Sequence, residues 1–295
     1  MAKKPRSLQG KIAVVTGGGR GIGLSTAQAL AREGVRVAIG DVDGASAEQA
    51  AAKLGSGAYG AALDVTDRPA FSDFLDDVEK RLGPIDILVN NAGIMPLSPL
   101  DSEDDAVTFR QLGINLHAVI HGTREAMRRM KPRRTGHIVN VASTAGRGGF
   151  PNGATYCATK FGVYGLSEAV RAELRDHEVE VSVVMPGIVR TELSVGLQSR
   201  GVKAISAEDV ADAIVETLKH PRFEVYVPKA IKPIVTLLMP MPRGLKDRAG
   251  RWLKTDKVFT NALSAPGRRE YEQRAAQSAP AADEAQREAE TLSST

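Results

Sequence analysis

The 295 residues are 42% apolar and 25% charged, with 29 Gly, 15 Pro and a single Cys, a composition that allows a substantial core and excludes a disordered chain or a disulfide scaffold. The net charge of +4 is local: residues 229–257 hold eight basic and two acidic residues, which leaves the rest slightly acidic and gives no general argument for nucleic-acid binding. One cysteine makes no internal bridge, MAKKPRSLQGK lacks the apolar stretch of a signal peptide, and no run of about 18 apolar residues occurs; the expectation is a reduced, cytoplasmic setting.

In chain order, KIAVVT (11–16) reads as a buried strand, followed by the glycine-rich turn TGGGRGIG (16–23) and a helix from Ile22 to Arg32. VRVAIG (35–40) is a second strand and Ala45–Leu54 a helix; GAYGAAL (57–63) is a weaker strand before a helix over Pro69–Leu82. IDILVN (85–90) precedes one long helix over Asp104–Met130, and HIVNVAS (137–143) precedes another over Ala154–Asp176. VEVSVVMP (179–186), a helix over Ala207–Lys219 and the weaker strand FEVYVP (223–228) complete the pattern. Strand–helix–strand units with short connections predict an α/β fold: one doubly wound domain over 1–228, its mainly parallel sheet of seven strands covered by helices on both faces. Residues 229–263 form an apolar and basic extension, and 264–295, poor in apolar periodicity, a disordered or loosely helical tail. There is no internal repeat.

The glycine cluster gains meaning from its place between strand and helix. There Gly17 permits a sharp turn, Gly21 lets a pyrophosphate approach the backbone, and Gly23 lets helix and strand pack closely, while amides at the helix start, around Ile22, meet the phosphates. Asp41, eighteen residues after Gly23, is placed to accept hydrogen bonds from an adenosine ribose diol and to repel a 2′-phosphate, so NAD is preferred over NADP. Arg20 pulls the other way, since a guanidinium can hold a 2′-phosphate, but beside Asp41 it reads better as a surface or phosphate-facing group.

Tyr156 and Lys160, four residues apart in YCATK, lie on one helix face. A free phenol with pKa about 10 is a poor base at neutral pH. An ammonium about 5 Å away favours the phenolate by roughly two pKa units at an effective dielectric near 20, which makes the tyrosine a usable acid or base.

The order TGGGRGIG, LDV (63–65), NNAG (90–93), Asn115, Ser143, YCATK and PG (186–187) resembles the short-chain dehydrogenase/reductase family, from about residue 8 to 228. The resemblance implies a Rossmann-like fold and a hydride-transferring oxidoreductase of CH–OH groups. It implies Tyr156 as acid/base, Lys160 as the residue that lowers its pKa and holds the nicotinamide ribose, and Ser143 as hydrogen-bond partner of the substrate oxygen. Asn115 would bend its helix and hold a water linking Lys160 to solvent. Asp64 and Val65 would contact adenine, Asn90 would brace the cofactor loop, and Val189 and Thr191 would meet the nicotinamide carboxamide. A homodimer or homotetramer through the long helices around Asn115 and Tyr156 is implied in the same way.

No metal is required by this chemistry. His117 and His121, the only i, i+4 histidine pair, read as helix-surface or interface residues, and Cys157 as a small buried hydrophobe. The loops IMPLSPLD, TAGRGGFPNGA and RTELSVGLQSRGVKAIS offer Met95, Pro96, Leu97, Phe150, Leu193, Val195 and Leu197 without a basic cluster, which suits an apolar alcohol or ketone of steroid, retinoid or lipid type. Residues 229–257, with Trp252, have two readings: a helix packed on the domain or another subunit, or peripheral membrane contact. The alternatives in function are an NADPH-dependent 3-oxoacyl reductase and, from another class, a cofactor-sensing or nucleic-acid-binding protein on the same fold.

Overall fold

The computed structural model describes residues 5–55, 57–197, 204–245, 248, 255–263 and 265–279. Trp252, residues 198–203 of the third substrate loop, and the tail beyond 279 lie outside the described residues.

The elements run β1 (Ile12–Thr16), α1 (Gly21–Arg32), β2 (Arg36–Asp41), α2 (Gly44–Leu54), β3 (Tyr59–Ala62), α3 (Arg68–Leu82), β4 (Ile87–Asn90), α4 (Asp105–Leu112), α5 (Ala118–Met130), β5 (Gly136–Val141), α6 (Ala154–Glu173), β6 (Val179–Pro186), α7 (Ala207–Lys219), β7 (Glu224–Val227) and α8 (Ile231–Leu238). Two further helices, Thr255–Ala262 and Arg268–Ala276, follow. The strands form one sheet in the order β3-β2-β1-β4-β5-β6-β7, with every neighbouring pair parallel. Alternation along β1 splits its side chains between two cores. Ala13 and Val15 meet Leu30 of α1 and Val210 and Ile214 of α7; Ile12 and Val14 face Phe71 of α3, Met130 of α5 and Leu174, which caps the end of α6. The order reverses between β1 and β4, which opens a crevice at the C-terminal ends of these strands.

Local chemistry starts the helices where the sequence marks them. Asp43 accepts from Ser46 N at the head of α2, Asp67 from Ala70 N at α3 with Pro69 in the first turn, and Ser206 and Asp209 form a reciprocal capping box at α7. The expected single helix over Asp104–Met130 is divided: Gly113–His117 is a π-helical turn between α4 and α5, whose wider winding breaks the 3.6-residue period. Asn115 sits in that turn, completely buried.

The first part of the expected tail does not trail away. In the helix Arg268–Ala276, Arg268, Tyr271 and Ala275 are buried, and Ala279 just beyond it is fully buried against the β-sheet core. Arg, Glu, Gln and Ala dominate the composition of this stretch and hide the spacing 268, 271, 275, 279, so no packing role is evident from the sequence.

Candidate active site

A cavity of about 1470 Å³ opens along the C-terminal ends of the strands. One end is the turn after β1. Gly17 has φ +63°, and a Cβ there would lie 2.8 Å from the Ala92 Cα; a Cβ on Gly23 would lie 2.1 Å from the Gly17 carbonyl oxygen. Both positions therefore require glycine, for different reasons: backbone conformation at Gly17 and close approach of α1 at Gly23. Asn91 Nδ2 donates to the carbonyls of Thr16 (2.9 Å) and Gly17 (3.0 Å), pinning the turn to the end of β4. Helix α1 begins at Arg20 without a side-chain cap, so its first-turn amides are left for another acceptor, and Gly21 and Ile22 face the cavity.

Asp41, at the end of β2, is 6% exposed and lines the same space. Its carboxylate accepts from Gly19 N (2.9 Å) and Asp43 N (3.1 Å). Arg20 lies 3.4 Å from Asp43 and 3.6 Å from Glu192, so two acidic side chains hold its guanidinium at the cavity edge. Leu63 and Val65 form the wall beyond Asp41.

The other end holds the reactive groups. Ser143, after β5, accepts from Ala145 N (3.1 Å) and lines the cavity with the Tyr156 phenol. Tyr156 and Lys160 project from the first turns of α6 and are 6% and 4% exposed. Lys160 Nζ donates to the Val141 carbonyl (3.1 Å) and lies 5.6 Å from the centre of the Tyr156 ring. Burial pushes Lys160 down to about 8, which leaves it mostly charged at neutral pH. Burial pushes the Tyr156 phenol upward, and the Ser143 hydroxyl offsets part of that rise. Desolvation is the leading influence on the phenol, and it favours the protonated form. Asn115 Oδ1 accepts from Ile94 N (2.9 Å) and its Nδ2 donates to Ile94 O (2.8 Å). It fastens the loop after β4 beneath Lys160, and the π turn is what brings it inward.

Of the expected cofactor residues, Gly17, Arg20, Gly21, Ile22, Asp41, Tyr156, Lys160, Val189 and Thr191 line the cavity, and so does Val65. Three placements differ. Asn90 is turned into the sheet, donating to Asn140 Oδ1 (2.8 Å), and its neighbour Asn91 does the bracing assigned to it. Asp64 accepts from the Thr66 amide (2.8 Å) and hydroxyl (2.7 Å), shaping the turn, while Val65 supplies the wall. Gly23 lies behind the turn, and its contribution is packing. Of the substrate-loop residues, Met95, Phe150, Leu193 and Leu197 reach the cavity, whereas Leu97 packs in the adjoining cluster.

The C-terminal helices supply residues that motif reading missed. Phe259 stacks on Phe150 with ring centres 3.6 Å apart, next to Tyr156. The Tyr271 hydroxyl accepts from Met95 N (2.7 Å) while its ring lines the cavity, and burial pushes its pKa up to about 12. Arg268, 1% exposed, donates to the carbonyls of Met95 and Leu193 (the latter at 3.0 Å) and to Glu272 (3.0 Å). It ties the loops after β4 and β6 together. A helical stripe at 268, 271, 275 and 279 was the available signal.

Cys157 is buried, and its thiol is pushed upward by burial. His117 is exposed; His121, expected at a helix surface or an interface, is instead buried within the chain, with Nε2 3.1 Å from Arg68 O and its ring edge-on to Phe71. Among the described residues no group of three or more His, Cys, Asp or Glu converges to hold a metal ion.

A continuous cleft with an uncapped helix start and a glycine turn at one end, and a phenol and an ammonium at the other, fits a nicotinamide dinucleotide laid across the strand ends. Residues 11–200 match the family model described as short chain dehydrogenase. The 3-oxoacyl-(acyl-carrier-protein) reductase FabG of Haemophilus influenzae is 37% identical over 187 residues, covering 63% of this chain and 77% of the relative. A sorbitol dehydrogenase of Cereibacter sphaeroides is 39% identical over 186 residues, 63% of this chain and 73% of the relative. The crystal structure of a short chain dehydrogenase/reductase from Burkholderia phymatum in complex with NAD matches with a TM-score of 0.73 at 27% identity, covering 79% of this chain and 94% of that one. The chain belongs to the short chain dehydrogenase family, NAD(P)-binding oxidoreductases of alcohol and ketone groups.

Proposed function

We propose that the protein interconverts an apolar secondary alcohol and its ketone, using NAD(H) in preference to NADP(H), with Tyr156 as the proton donor and acceptor. The observation that carries this reading is the convergence of Ser143 with the buried Tyr156 and Lys160, the ammonium 5.6 Å from the phenol ring centre, at one end of the cleft that begins at the glycine turn. In the reducing direction the phenol gives its proton to the carbonyl oxygen, Ser143 Oγ donates to that oxygen as negative charge develops, and the Lys160 ammonium stabilises the phenolate left behind. Oxidation reverses the transfer. A bound nicotinamide dinucleotide supplies or removes the hydride. Asn115 acts through the Ile94 backbone and Lys160 as a positioning residue.

The cofactor preference rests on Asp41, whose buried carboxylate adds negative charge where a 2′-phosphate would enter, and on the engagement of Arg20 with Asp43 and Glu192. The apolar substrate class rests on the walls near Tyr156: Met95, Phe150, Leu193, Leu197 and Phe259. A second reading, an NADPH-dependent 3-oxoacyl reductase, is favoured by the likeness to the Haemophilus FabG. Phe109 and Phe161, large and exposed on α4 and α6, support a homo-oligomer through these helices.

Tyr156→Phe tests the mechanism. Turnover of a secondary alcohol, followed by absorbance of the reduced cofactor, is expected to fall by at least about a hundredfold, with NADH affinity unchanged; a variant that keeps its turnover refutes the role. Secondary alcohols of increasing chain length, offered with NAD and with NADP, separate the two readings.

A further inference from the structure

The segment from Lys229 to Leu245 is unlike the rest of the surface. Helix α8 turns Ile231 and Val235 towards Tyr226 and the sheet, while its other side exposes Ile234 (57%) and Leu237 (69%), followed by Leu238, Met239 and Leu245. Isolated apolar residues on a surface need no explanation, but a contiguous set marks an interaction site. Between residues 229 and 245 there is no acidic residue, and Lys229, Lys232 and Arg243 lie exposed at the same patch. The patch adjoins the catalytic cavity: Val235, Leu238, Met239 and Arg243 form part of its rim.

We infer that this face docks on an anionic lipid bilayer, with α8 in the interface and the cavity mouth turned towards the lipid. Two observations select this occupant. Apolar side chains flanked by basic ones match the layering of acyl chains beneath anionic headgroups. A second copy of the chain fits less well, because a two-fold contact would set the patch against itself and bring two like-charged sets of Lys229, Lys232 and Arg243 together with no acidic residue between 229 and 245 to pair them. Lys232 is only partly engaged, 3.8 Å from Glu224, and each basic group near an anionic surface strengthens binding about fivefold. The inference deepens the apolar-substrate reading and rests on it for its purpose: a lipid-soluble alcohol or ketone would enter the cavity from the bilayer.

Flotation of the full chain with vesicles tests it without using any substrate, so its outcome is independent of the catalytic reading. The chain is expected to float with equimolar phosphatidylcholine and phosphatidylglycerol, to float much less with phosphatidylcholine alone, and to release as salt is raised. The double variant Ile234→Ser, Leu237→Ser is expected to bind the anionic vesicles at least about tenfold more weakly, while keeping the circular dichroism spectrum and melting temperature of the parent, which shows the fold intact. No flotation with either vesicle, or equal flotation of the variant, overturns the inference. So does a fall in subunit number of the variant by light scattering, which would make the patch a contact between copies.

Discussion

Arg268 is the sharpest test of the role of the C-terminal helix. Its guanidinium, 1% exposed, donates to two backbone carbonyls, Met95 O and Leu193 O, pairs with Glu272 at 3.0 Å and lies 4.7 Å from the centre of the Tyr271 ring. Arg268→Ala removes these bonds and strands two carbonyls under the helix, a loss of about 3–5 kcal/mol. A nine-residue helix has little stability of its own in water, so the loss is taken locally, as release of the helix from the site. That free energy corresponds to a roughly hundred- to several-thousandfold larger undocked population. Hydrogen exchange should show lost protection over 268–279 and at Met95, whose amide is bonded to the Tyr271 hydroxyl, with the strands β1 and β4 unchanged. The KM for an apolar substrate should rise with NADH affinity little altered. Arg268→Lys keeps the charge without the planar fork and should fall between the two. Unchanged exchange and kinetics in Arg268→Ala, or loss spread evenly over β1 and β4, would refute a local clamp.

Three further outcomes follow from the geometry. Asp41→Ser should narrow the preference for NADH over NADPH in a fluorescence titration; tighter NADPH binding by the parent protein would contradict the role given to this carboxylate. Gly23→Ala drives a methyl group into the Gly17 carbonyl oxygen and should cost about 1–3 kcal/mol, with NADH no longer raising the melting temperature; a variant with normal stability and cofactor response would remove the close-approach argument. His137, buried in β5 and bonded to Ser182 Oγ at 2.8 Å, is pushed down to about 3 by burial, from 6.5. The unfolded chain takes up this proton first, so the stability present above pH 6.5 is lost as pH falls towards 3, about 2 kcal/mol of it by pH 5. Urea unfolding at pH 7 and pH 5 should give a smaller difference for His137→Asn than for the parent, and equal differences would exclude His137 as the source.

Strand and helix order, the parallel sheet and most of the lining at the glycine-turn end of the cleft were legible in the sequence, because they depend on local signals: β-rich apolar runs, capping residues such as Asp43 and Asp67, and glycines whose spacing is fixed by a strand–turn–helix unit. Tyr156 and Lys160 were legible for a similar reason, since four residues on a helix guarantee a shared face. The π turn at Gly113–His117 was not, because one extra residue per turn leaves no mark in the apolar period until Asn115 is seen to face inward. Asn90 and Asn91 could not be told apart either: adjacent strand-end residues point opposite ways, and only the register of β4 against β1 and β5 decides which reaches the glycine turn.

The sequence by itself determined the α/β layering and the chemical groups at the two ends of the cleft, through short-range periodicity and spacing. Only the tertiary structure decided that the Tyr156 phenol is buried enough to be pushed upward, that Phe259 and Tyr271, more than a hundred residues beyond Phe150 and Tyr156, line the same cavity, and that Arg268 ties its loops together. Desolvation and long-range packing depend on what surrounds a side chain in space, and that information has no local signature along the chain.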